Sequence, residues 1–230
     1  MKTNSTANTT KNTTNNKANK AAKGATIAAK DKATTSAART VNKQREAIKA
    51  AFDARIAKSD NANMTKFLQK MKANFLNLTD AQLNEAHNVS IDIDTLCKRL
   101  AVSDSANNEF IAQYAVEKII KTIRALAASS VESLDKYTFS IVKNLHTLQK
   151  LDNMNAQRAL CSKIELDELA QAQAIKVYHN CAPSTASTQA SSTRMTLQAL
   201  NICNVTKRSK SDSISFTDSA TAKRMRALFA

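Results

Sequence analysis

The stretch SANNEFIAQYAVEKIIKTIRALAA, residues 105–128, decides how this chain folds. Within it Val116, Ile119, Ile120, Ile123 and Leu126 recur at spacings of three and four, the period of one face of an α-helix. It is the longest strongly patterned segment and predicts a central helix. Toward the N-terminus, Ile48, Phe52 and Ile56 recur every four residues and predict a helix from Thr40 to Lys58. Met64, Phe67, Leu68, Met71 and Phe75 share a face of a second helix, from about Asn63 to Asn77. Thr79 and Gln82 then stand at capping-box spacing, where a hydroxyl and an amide satisfy the free N–H groups of a helix start. Asp92 to Leu100 predicts a further short helix.

Toward the C-terminus, Ser129 and Glu132 have the same capping-box spacing and predict a helix from Val131 to Leu151, with Leu134, Ile141 and Leu148 every seven residues. Asp152 is expected to cap a helix through Ile164, and another is expected from Asp167 to Asn180. Three heptad positions suit ordinary antiparallel bundle packing better than a long dimeric seam, although a homo-oligomer is compatible with them.

Composition supports an all-α class. The 230 residues include one Gly and one Pro, and no Trp. Hairpins, bulges and phosphate-cradling loops depend on the positive φ that glycine adopts freely, and Gly24 sits in a low-complexity run. Helix bundles do without it, because Asn, Asp and Ser cap helices and tolerate left-handed turns. Cys97, Cys161, Cys181 and Cys203 are widely spaced with no CxxC, which predicts reduced core thiols in a reducing compartment. The start, MKTNSTANTT, lacks an apolar signal segment, and no apolar run is long enough to span a bilayer, so the expectation is an intracellular chain with no membrane partner.

The net charge of +15 is unevenly placed. Residues 1–50 hold eleven Lys or Arg against Asp31 and Glu46, net +9; residues 51–183 hold sixteen against fifteen, net +1; residues 184–230 hold seven against Asp212 and Asp218, net +5. Sixteen of the first twenty residues are Asn, Thr or Lys, a composition that cannot offset the entropy of ordering. The expected organisation is a disordered basic arm over 1–41, a helical bundle over 42–181, a linker over 182–192 around Pro183, and a small, mainly helical basic C-terminal module over 193–230. In that module Thr193 to Val205 is expected to be helical, Ile214 to Phe216 is a candidate strand, and Asp218 or Ser219 is expected to cap a helix from Ala220 to Phe229.

Basic extensions flanking a neutral middle point to a polyanion, DNA or RNA, bound through its phosphates. The expected nucleic-acid-binding residues are Lys11, Lys17, Lys20, Lys23, Lys30, Lys32 and Arg39 in the arm, with Lys207, Arg208, Lys210, Lys223, Arg224 and Arg226 at the other end. Phe216, Phe229 and a remote Tyr178 are too few for an aromatic stacking platform, so nothing favours single strands. LNEAHNVS followed by DTLCKRL resembles a helix-turn-helix, with Asn88 at the turn. Its linker is about two residues too long for that family, and Asp92 and Asp94 stand where base-reading residues lie, so no function is carried over.

No catalytic, cofactor or metal site is expected. GxSxG, P-loop and GxGxxG patterns are missing, and His179-Asn180-Cys181 supplies two potential ligands where structural zinc needs four. The expected function is non-enzymatic nucleic-acid binding in the cytoplasm, nucleoid or nucleus. The alternative is a structural or scaffold protein of a virus or mobile element, virion-associated and binding acidic protein surfaces.

Overall fold

Phe52 and Phe75 meet with ring centroids 5.7 Å apart, closing the first helix pair: α1 over residues 39–57 and α2, Ala62–Leu76. The computed structural model describes residues 39–93, 95, 96, 99, 113–166, 173–206 and 212–230. The chain divides after Asn42, and the unit considered below is Lys43–Ala230. Asn61 caps α2 by accepting from the N–H groups of Asn63 and Met64. Arg45 of α1 crosses to the turn beyond α2, donating to the carbonyls of Leu76 (2.5 Å) and Leu78 (2.9 Å) and pairing with Asp80. These carbonyls are left free where the helix ends, and a guanidinium fork is well suited to hold several at once.

Helix α3, Asp80–Asn88, starts on the Thr79 and Gln82 capping box that the sequence announces. The proposed second helix of the helix-turn-helix falls partly outside the described residues, but Ile93 and Leu96 are buried. The central helix α4, Gln113–Ala128, packs against α2, α3 and a later helix. Its apolar stripe of Val116, Ile119, Ile120, Ile123 and Leu126 is buried, and so are Ala115, Lys118, Thr122 and Ala125.

Beyond α4 the expected helix over 131–151 is replaced by three elements. Ser130 opens a 3-10 turn, Val131–Ser133; α5 then runs Lys136–Leu148; strand β1 is Lys150–Asp152. Asp135 causes the restart, since its carboxylate accepts from the N–H groups of Tyr137 (3.1 Å) and Thr138 (3.3 Å) and so outcompetes the upstream serine as a cap. Gln149, at φ 62°, stops α5 in the left-handed conformation. Asp152 caps α6 as expected, but that helix is short, Asn153–Arg158. Of the helix expected over 167–180, residues 167–172 are not among those described, 173 and 174 are helical, and 175–180 are not.

The helix expected from Thr193 to Val205 instead starts within the expected linker and ends at Ala199: it is α7, Pro183–Ala199, with the proline in the first turn, where its missing N–H costs nothing. Ala186, Ala190, Thr193, Thr196 and Leu197 face inward, and the Thr196 hydroxyl donates to Ala115 O (3.2 Å) and to Ser192 O (3.0 Å). Strands β2, Cys203–Thr206, and β3, Ser213–Phe216, follow, and helix α8, Ala220–Ala227, is capped by Ser219. The sheet order is β1-β3-β2, antiparallel throughout, with Leu151 and Val205 both opposite Ile214. The described residues are therefore mainly helical with one small sheet. Residues assigned to a separate C-terminal module supply the centre of that sheet, and the expected bundle supplies an edge.

Candidate nucleic-acid interface

The expected phosphate-binding residues fall into three groups. Lys11, Lys17, Lys20, Lys23, Lys30 and Lys32, like Lys207, Arg208 and Lys210, are outside the described residues. Arg39 and Lys223 are exposed. Arg224 and Arg226 are half-buried and engaged with other groups of the protein. Arg224 donates from Nε to Glu85 Oε1 (3.1 Å) and from Nη2 to Ser129 Oγ (2.6 Å) and Leu126 O (3.3 Å), tying α8 to α3 and the end of α4. Arg226 lies 5.6 Å from the Phe216 ring centroid, 3.4 Å from Thr217 O and 3.9 Å from Asp218. Of the basic triplet in α8, Lys223 is the most exposed cation. No sequence pattern announced this, because Glu85 lies 139 positions from Arg224.

A second cation missed by sequence reasoning is buried. Lys118 is 3% exposed, and its ammonium donates to Asp135 Oδ1 (3.1 Å) and Thr193 Oγ1 (2.8 Å), linking α4, the cap of α5 and α7. Burial pushes the Lys118 ammonium below its usual range, partly opposed by the charge and hydrogen bond of Asp135. Burial would raise the Asp135 carboxyl, but Lys118, the Thr138 N–H and Lys121 together hold it below the ordinary value. These groups stabilise one another and are committed to the fold.

On α5, Lys136, Phe139, Lys143 and His146 follow at spacings of three, four and three, which aligns them on one helical face. The segment around residues 176–178 is clamped beside this face. Asn144 Nδ2 donates to Lys176 O (2.8 Å), Asn144 Oδ1 accepts from Lys176 N (2.9 Å), and Ser140 Oγ accepts from Tyr178 N (3.4 Å). Phe139 thereby meets Tyr178 edge-on at 5.5 Å, and Phe229 reaches the same ring at 5.5 Å. His179 and His146 stand at the margins, 6.4 Å from Phe139 and 6.3 Å from Phe229. Lys143 Nζ lies 5.5 Å from the Phe229 centroid and 3.4 Å from its carbonyl oxygen. Tyr178, remote from Phe229 in sequence, belongs to one aromatic cluster with it.

The described thiols are free. Burial pushes Cys203 up to about 12, and burial together with the neighbouring Cys161 raises Cys181, so neither is poised as a nucleophile at neutral pH. Among the described residues no three His, Cys, Asp or Glu side chains form a metal-binding group, and no helix is long and apolar enough to cross a membrane. No protein-family model, curated protein or solved structure matches the chain.

Proposed function

We propose that this chain binds nucleic acid without catalysing a reaction, using the cations concentrated in its first fifty residues to neutralise phosphates. The carrying observation is the charge of residues 1–50, eleven Lys or Arg against two acids, beside a near-neutral middle. Lysine ammonium groups displace counterions condensed on phosphates, which provides affinity independent of base sequence. Tethering several such contacts to one body raises their effective concentration at the polymer. Lys223 and Arg39, exposed at opposite ends of the sequence, extend the same chemistry. Such a protein acts wherever DNA or RNA is accessible: cytoplasm, nucleoid, nucleus or virion.

The test is fluorescence anisotropy of the full chain with labelled duplex and single-stranded oligonucleotides over a series of salt concentrations. A second protein carries Gln at Lys11, Lys17, Lys20, Lys23, Lys30 and Lys32. The log-log salt slope on duplex is expected to be about −0.9 per neutralised phosphate, and the six-fold variant should lose up to about five units of it. If the full chain binds neither oligonucleotide at low salt, the reading fails and the assembly role takes its place, with a defined oligomer and salt-tolerant protein contacts as its signature.

A further inference from the structure

We propose that the exposed Tyr178 side chain, with Lys176 two residues before it and Lys136 and Lys143 on the same face of α5 as Phe139, is a base-stacking subsite for single-stranded nucleic acid. This rests on the nucleic-acid reading above and assigns it a second contact of different chemistry, on the folded body.

The ring is open and its support is fixed. Tyr178 is 38% exposed, one of three large apolar or aromatic side chains so exposed among the described residues. Asn144 and Ser140 hold the backbone on either side of Val177, and Phe139 backs the ring edge-on. A ring held in advance of binding loses little conformational entropy when it stacks. His179, the next residue, is also exposed, with its ring 6.4 Å from Phe139.

The cations define the charge of the ligand. Lys136 and Lys176 are exposed, and Lys143 is half-buried against Phe229. Among the described residues no carboxylate pairs with any of these three, whereas Lys118 and Lys121 share Asp135 and Lys70 reaches Glu117. Three ammonium groups with no acidic partner among the described residues repel a cationic ligand and favour an anionic one. A ligand that presents both a planar ring and a negative backbone is a nucleic acid strand. In a duplex the bases are stacked on one another and show only their edges, so the face of Tyr178 suits an unpaired strand.

The chain contains no tryptophan, so Tyr178→Trp introduces a single indole whose emission reports this site alone. The full-length variant is titrated with oligothymidylate and with a duplex of equal length while anisotropy of the labelled oligonucleotide is followed in parallel. The expected result is indole quenching that saturates together with the anisotropy on the single strand and is far weaker on the duplex. In the full chain Tyr178→Ala should weaken single-strand affinity about tenfold and leave duplex affinity unchanged, while Tyr178→Phe retains both. Binding by anisotropy with unaltered indole emission overturns the subsite and leaves the phosphate-binding reading standing. No binding by either observable at low salt overturns both.

Discussion

Lys118 Nζ lies 3.1 Å from Asp135 Oδ1 at a site where the lysine side chain is 3% exposed and Thr193 completes its shell. Two desolvated charges of this kind are costly to separate yet not costly to replace. Asp135→Ala leaves a buried ammonium without its counter-charge and also removes the cap of α5, so a loss of about 3–5 kcal/mol is expected. Lys118→Met fills the same space without a charge, while Asp135 keeps Lys121 and its two capping N–H groups. That variant should fall within about 1 kcal/mol of the parent or exceed it. Urea denaturation of both proteins decides the matter, and equal losses would refute the asymmetry.

The same pair predicts an acid dependence. The folded-state value of Asp135 lies below its unfolded value, so its contribution is present above the unfolded carboxylate range, about pH 4, and is lost as pH falls through the folded value. Asp135→Asn preserves the cap and removes the charge. The variant should therefore be less stable than the parent at pH 6, with the gap closing as pH falls through the folded-state value of Asp135. Urea midpoints between pH 6 and pH 2 measure this, and a constant gap would show that the pair contributes nothing through its charge.

Lys223 and Arg224 are neighbours in sequence with opposite expected effects. Arg224→Ala removes an ion pair to Glu85 and the donors to Ser129 and Leu126, and should lower stability by about 2 kcal/mol. Lys223→Ala touches a solvent-facing ammonium, so stability should stay within about 0.5 kcal/mol while oligonucleotide affinity falls. Thermal melts paired with anisotropy separate the two roles, and matched changes in both proteins would contradict this assignment.

Ser90 holds φ at 64°, in the left-handed region that a β-carbon disfavours. It follows α3 and is exposed. Ser90→Gly relieves the backbone and should stabilise the unit by about 0.5–1 kcal/mol after the extra entropy of an unfolded glycine is subtracted. For a unit of this size the melting temperature should rise by about 2 °C. A drop would mean that the serine side chain contributes more than its conformation costs.

Much of what neighbours a few residues apart set could be read directly from the chain, although the Asp135 cap that splits the helix expected over 131–151 was not. The stripe of Val116, Ile119, Ile120, Ile123 and Leu126, the α1 stripe of Ile48 and Phe52, the Thr79 capping box, the Ser219 cap and the short strand before it were all legible. Scarcity of glycine excluded turn-rich folds, and the left-handed positions described are held by Ser90, Ser129, Gln149 and Asn201 instead. The first part of helix α7, residues 183–192, was not legible, because Ala186 and Ala190 bury small side chains that carry almost no hydrophobic signal, and close approach to α4 is what rewards such residues. Tertiary structure alone decided that β3 pairs with β1, that Arg224 serves the fold, and that Phe139, Tyr178 and Phe229 share one cluster. Each of these depends on residues roughly 40 to 140 positions apart, whose meeting follows from how whole helices pack and leaves no periodic trace in the chain itself.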